Sequence, residues 1–268
     1  MRMMVERYYG VQSVGWLMQI IDYTGMYIQM LDALLPCYIS NGFVTRPSST
    51  ITIKTATSYK DYILVDNGSS ETAFPQNAPA HLYGYLLSQV FLGLLGHADQ
   101  MCAVHCAVLI QNQSAILAVG KSHCGKSYLC KEALMHHSVN CLSDDFALVN
   151  GDATSISICN AFKPIYLRKV TKTENNLLQK QFMTMNCRFA EEEKVVLFNY
   201  KPLAGDMFNV KRVVFLSREE GAVPSLQAMK TNDSYARLMR NMLSGDLALN
   251  RQCIKKICDT VECVSCVY

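Results

Sequence analysis

Residues 115–149 read AILAVGKSHCGKSYLCKEALMHHSVNCLSDDFALV, and this stretch decides how the rest of the chain is understood. An apolar run enters a loop framed by Gly120 and Gly125 that ends in Lys126-Ser127. A segment of helical spacing follows, and a second apolar run carries Asp144 and Asp145. Strand, loop, helix and strand in that order is the context in which a glycine loop can hold a phosphate.

The loop Gly120, Lys121, Ser122, His123, Cys124, Gly125, Lys126, Ser127 fits G-x-x-x-x-G-K-[ST] without a mismatch. Glycines allow the tight turns that aim successive backbone N–H groups into one concavity. Lys126 supplies a mobile positive charge for the β and γ phosphates, Ser127 a hydroxyl for Mg²⁺, and the start of the following helix favours an anion. ATP and Mg²⁺ are therefore the expected cofactors, with residues 120–127 as the nucleotide cradle.

Asp144 and Asp145 follow Ser127 by about seventeen residues, the distance over which one helix and a turn return the chain beside the loop. One carboxylate suffices for the metal. Two adjacent ones allow a division into metal ligand and proton acceptor, since like charges in a dry site push their pKa values apart; the alternative is one functional carboxylate and one turn cap. His105, in the apolar run CAVHCAVLI, is either a satisfied core residue or a group that orients the base.

Outward from this stretch, the sequence predicts a mixed α/β fold. Strand-like runs at 103–110 and 115–119 flank the QNQS turn, and 127–137 reads as a helix with Leu129, Ala133 and Leu134 on its apolar side. Further strands are expected in TSISIC, KPIYLRKV, KVVLFNY, VKRVVFLSRE and VECVSCVY, with a mostly helical connection over 171–193 and a helical segment from Asp233 to Cys258. Before the loop, STITIKTATSY and KDYILVDNGSS read as strands, PQNAPA as a link, and 81–95 as a helix. The expected organisation is a β-rich and helical N-terminal subdomain over 1–98 and a phosphate-loop domain over 99–268.

Composition excludes several classes. Hydrophobic residues make up 50% and charged ones 18%, enough for a packed core over most of the chain. A net charge of +3, without a run of five like charges, gives no footprint for nucleic acid. LYGYLLSQVFLGLLG is too short to span a bilayer, and polar residues interrupt any signal-type core near Met1, so no membrane partner and a cytoplasmic setting are expected. Twelve cysteines in 268 residues then read as reduced thiols. Cys263-x-x-Cys266 lacks a matching second pair and reads as buried thiols rather than a zinc knuckle, whereas Cys124 at the helix start is expected to be reactive. Lys121, Lys163, Arg168 and Arg218 are candidate cations for the developing charge of phosphoryl transfer.

With HCAVL about fifteen residues before the loop and LSDD after it, the chain resembles the HPr kinase/phosphorylase family, and within it the kinases that phosphorylate precursor peptides in ribosomally made (lasso-type) peptide biosynthesis. The resemblance implies a P-loop kinase core of the HPr-kinase type. It implies nucleotide binding by 120–127, a catalytic role for Asp144 with His105 and Lys126, and metal binding by Asp145 with Ser127. It also implies a peptide or small-protein substrate bearing a hydroxyl acceptor. A homo-oligomer is compatible with it. The family usually has glycine where this chain has His123, and no phosphorolysis segment is matched. A small-molecule kinase and a non-catalytic nucleotide-binding regulator are the competing expectations. A GTPase is disfavoured because no Asn-Lys-x-Asp segment occurs.

Overall fold

The computed structural model describes residues 4–11, 16–34, 46–56, 61–77, 79–97, 101–135, 139–151, 156–159, 165–168, 170–181, 183–189, 192–198, 207–243 and 247–268. The chain divides into two compact units, Met1–His97 and Ala98–Tyr268.

In the first unit, β1 (Val5–Val11), β2 (Trp16–Asp22), β3 (Ser49–Thr55), β4 (Tyr62–Asp66) and β5 (Glu71–Pro75) form one sheet in sequence order. Two helices, α1 (Ile28–Leu34) and α2 (Pro79–His97), accompany it. The pair β2–β3 is parallel and the other neighbours are antiparallel. Alternation in β3 puts Ile51 and Ile53 inside, as it does Ile63 and Val65 of the adjoining β4, while α2 packs on β2 and β5 with Leu82, Leu86 and Val90 buried. The buried Asp22 closes the turn after β2 by accepting the backbone N–H groups of Thr24, Gly25 and Tyr27.

The second unit holds β6 (Met101–Val104), β7 (Cys106–Gln111), β8 (Ser114–Val119), α3 (Lys126–Met135), β9 (Asn140–Ser143), β10 (Ala147–Gly151) and β11 (Ile156–Cys159). It continues with β12 (Ile165–Arg168), α4 (Lys172–Gln181), β13 (Met183–Phe189), β14 (Glu192–Phe198), β15 (Met207–Ser217), β16 (Ser225–Ala228), α5 (Thr231–Met239), α6 (Leu247–Thr260) and β17 (Glu262–Val267). Its main sheet runs β6-β10-β11-β15-β8-β7-β9, with β17 parallel to β15 and β16 antiparallel to β17. The strands β12-β14-β13 form a separate small sheet.

Mixed α/β is therefore the observed class, and four local expectations change. The run 103–110 is two strands rather than one: β6 pairs with β10 while β7 pairs with β8 and β9, and the chain breaks between them at His105. The connection after residue 171 is helical only to Gln181, since β13 forms a hairpin-like pair with β14. The long C-terminal helical segment is two helices, and between them Met242 bridges Val104. The β7–β8 hairpin turns through Asn112 and Gln113, both at positive φ (50° and 61°), which matches the twist of the strands it joins.

The buried side of α3 also differs from the expected stripe. Lys126, Cys130, Lys131 and Leu134 are buried, whereas Leu129 and Ala133 are only half-buried. A lysine can occupy that face because Lys131 Nζ lies 2.6 Å from Glu174 Oε1 of α4 and 4.9 Å from the centre of the Tyr128 ring. Lys131, and then the Thr171 backbone N–H and hydroxyl, hold the Glu174 carboxyl down to about 2.

Glu174→Gln is expected to cost about 1–2 kcal/mol at neutral pH, because Lys131 stays buried while the carboxylate side of the pair is only partly screened by water. Glu174 binds its proton more weakly in the folded chain than in the unfolded one. Its contribution is therefore whole above the ordinary value of 4.5 and fades as pH falls toward about 2. Urea unfolding of both proteins at pH 7 and at successively lower pH checks this: a stability gap that does not narrow with acid would refute it.

Candidate active site

The antiparallel order β8-β7-β9 fixes the site. Cys106 faces Val119 and Val108 faces Ser143, so the start of β7 lies at the same end of the sheet as the ends of β8 and β9. His105, the glycine loop and the two aspartates emerge together there.

The loop leaves β8 at Gly120 and enters α3 at Lys126. A Cβ on Gly120 would lie against Cys124 Sγ and 2.8 Å from the Leu216 carbonyl of β15, so only glycine lets the loop start this close to the neighbouring strand. Gly125 has φ +91°, and His123 has φ +66°. His123 thus occupies a left-handed turn, which gives the physical reason a glycine would suit that place; histidine is among the side chains that tolerate it. Lys121, Ser122 and His123 are exposed while Cys124 is buried. Lys126 Nζ donates to the carbonyls of Gly120 (2.7 Å) and Lys121 (3.1 Å), tying the end of the loop to its beginning.

A residue that sequence reasoning missed completes the loop. The Tyr268 hydroxyl donates to the Cys124 carbonyl, and its ring lies against Gly125. Tyr268 is held by its own backbone, its N–H donating to Ser217 O and its carbonyl accepting from Glu219 N, both at 3.1 Å. Burial, then the neighbouring Cys124, pushes its phenol above the ordinary value, so it remains a donor at neutral pH. No local pattern in the sequence announces a contact 144 residues away.

The aspartates separate. Ser143 is fully buried, and its hydroxyl accepts the backbone N–H groups of Asp145 and Phe146, each at 3.2 Å, which turns the chain sharply after β9. Asp144 is buried at 7% exposure, and Ser127 Oγ donates to its Oδ2 at 3.1 Å. The Asp145 side chain is 54% exposed, and its Oδ1 is 3.6 Å from His105 Nε2. His105 is positioned by its own backbone N–H, which donates to Asn241 O at 2.6 Å.

Two hard oxygen donors side by side, the Ser127 hydroxyl and the Asp144 carboxylate, suit a small divalent cation that keeps water and phosphate oxygens as its other ligands. Among the described residues no group of three or more His, Cys, Asp or Glu side chains gathers, so no all-protein metal cage is present there.

The remaining sequence candidates fare differently. Burial of Cys124 beneath Tyr268, with its sulfur against Gly120, removes the access that the expected thiol reactivity requires. Cys253 is buried, but Cys263 and Cys266 are half-buried rather than enclosed, and Cys263 is drawn down to about 7, chiefly by a hydrogen bond from Cys258. Arg218 is exposed just beyond β15, Arg168 ends β12, and Lys163 lies outside the described residues. Sequence reasoning also missed Arg237 and Arg240, although DSYARLMR spaces them for one face of a helix.

Gly120→Ala is expected to lower stability by about 1–3 kcal/mol through overpacking against strand β15. Gly84→Ala, whose added methyl meets nothing within 4 Å in α2, should be neutral or slightly stabilising. Paired denaturation curves decide it, and equal stabilities for the two variants would contradict the close approach at Gly120.

No protein-family model and no curated protein matches this chain. Among solved structures it is similar to the HPr(Ser) kinase/phosphatase from Coxiella burnetii, at 9% identity and a TM-score of 0.30, over 62% of this chain and 84% of that one. No described helix is long and apolar enough to cross a membrane.

Proposed function

We propose that the protein is an ATP- and Mg²⁺-dependent kinase that moves the γ-phosphate to a serine or threonine hydroxyl of a peptide or small protein. The observation that carries this reading is the division of the two aspartates, Asp144 against the loop serine and Asp145 against His105, beside a lysine-closed glycine loop. A bare anion-binding loop would need neither carboxylate.

In this reading the backbone of 120–127 and Lys126 orient the phosphates. Ser127 and Asp144 would hold the cation, which when bound would supply neutralisation of the charge that builds on the transferring group. Asp145 accepts the proton of the attacking hydroxyl, and His105 holds the carboxylate in place through Nε2. The hydroxyl oxygen forms its bond to the γ-phosphorus as the bond to the β-γ bridging oxygen breaks, leaving a phosphoester and ADP. The geometry favours Asp144 for the metal and Asp145 for the proton, the reverse of the assignment that the family resemblance implies.

Asp145→Asn is expected to lower transfer by about 10²–10⁴-fold while nucleotide affinity stays near that of the unaltered protein. Asp144→Asn and Ser127→Ala should instead weaken nucleotide binding where Mg²⁺ is present and change it little where the metal is chelated. Labelled ATP with a library of hydroxyl peptides, read by mass spectrometry, and nucleotide titrations with and without Mg²⁺ measure both. Full turnover by Asp145→Asn, together with loss of turnover but retained Mg²⁺-dependent binding in Asp144→Asn, would restore the opposite division of roles. Absence of transfer by the unaltered protein to any peptide would sink the kinase reading.

A further inference from the structure

Helix α5 leads from the edge of the sheet toward His105, and it carries a row of positive charge. Lys230 precedes its first residue, Arg237 lies in its last turn, and Arg240 follows Met239. With Ala228, Met229, Asp233, Ala236 and Ser265 they line a groove of about 410 Å³ between α5 and the β16–β17 pair. Ser234 and Leu238 are the buried side of the helix, so Asp233, Arg237 and Arg240 share the outward face.

Among the described residues, none of the three cations has a carboxylate within ion-pair distance, and Asp233 is the one acid in the lining. Exposed arginines are often only solubilising residues. Here two contacts attach the groove to the chemistry. The Arg237 guanidinium lies 5.9 Å from the centre of the Phe215 ring, and Phe215 pairs with Val119, the last residue before the loop. Asn241, directly after Arg240, accepts the His105 backbone N–H, while Leu243 N–H donates to Ala103 O at 2.8 Å. The row thus ends beside the residue that faces Asp145.

We propose that this groove binds an acidic stretch of the peptide acceptor, placing its hydroxyl before Asp145; the proposal rests on the kinase reading above. Length separates this occupant from a single phosphate. Ten residues of helical rise from Lys230 to Arg240 span about 15 Å, the reach of four or five residues of extended chain. A phosphate would engage one end of the row, whereas several carboxylates along a strand engage all of it. Phe215 beneath Arg237 steadies that guanidinium without neutralising it, leaving its N–H fork for a carboxylate.

The test uses the whole chain and two fluorescein-labelled peptides of one serine and four flanking residues, glutamates in one and glutamines in the other. Anisotropy titrations are expected to show the glutamate peptide bound at least about tenfold more tightly, with the preference shrinking as salt is raised. Arg237→Glu with Arg240→Glu should abolish the preference and leave nucleotide affinity unchanged. Arg237→Gln with Arg240→Gln repeats the test without introducing negative charge, and circular dichroism checks that each variant is folded.

Equal affinity for the two peptides, or a preference that survives both double variants in folded protein, overturns the proposal. Transfer to both peptides with the same KM also overturns it and leaves the kinase reading standing. Charge-dependent binding without phosphate transfer supports the groove while the kinase reading fails.

Discussion

The antiparallel seating of β7 between β8 and β9 is the constraint on which the site depends. With β7 reversed between them, β8 and β9 run in the same direction. The loop after one and the aspartates after the other must then leave the sheet at the same end, where His105 precedes β7. The glycine loop, the two aspartates and His105 are brought together by strand order before any side chain is considered. The seven buried apolar residues of β7 and β9 hold that order by their packing.

On this frame, small polar devices set the fine geometry. The Ser143 hydroxyl turns the chain so that two consecutive carboxylates meet different partners, one buried and one open to water. Lys126 closes the loop from within and Tyr268 fastens it from outside. The two aspartates are chemically identical, and their different surroundings separate their capacities.

How much of this was legible in the sequence depends on the range of the interactions involved. The loop could be read because its conformation is local: Gly120, Gly125 and Lys126 do their work within eight consecutive residues. The approach of His105 to the aspartates could be anticipated from the hairpin. The break at His105 could not, since CAVHCAV is apolar on both sides of the histidine and is divided by partner strands distant in sequence. The burial of Lys131 has no local signal, because the carboxylate that allows it lies 43 positions further on. Arg237 and Arg240 were visible as a helical spacing, but their relation to His105 comes from the bridge between Met242 and Val104. The resemblance set Asp145 beside Ser127, whereas Asp144 is the one that meets it, because adjacency in sequence says nothing about the direction of the turn between them.

The fastening by Tyr268 couples the glycine loop to the docking of β17. Tyr268 follows β17, which lies parallel to β15, so a loop held in this shape also holds β17 in register. By thermodynamic reciprocity, any ligand that prefers this loop shape must strengthen the docking of β17, and any loosening of β17 must weaken the ligand by the same factor. The gain grows only as the logarithm of ligand concentration over its dissociation constant, about 2.7 kcal/mol at a hundredfold excess. In a protein whose total stability is of order 10 kcal/mol, that is enough for occupancy of the loop to govern how often the sheet edge opens.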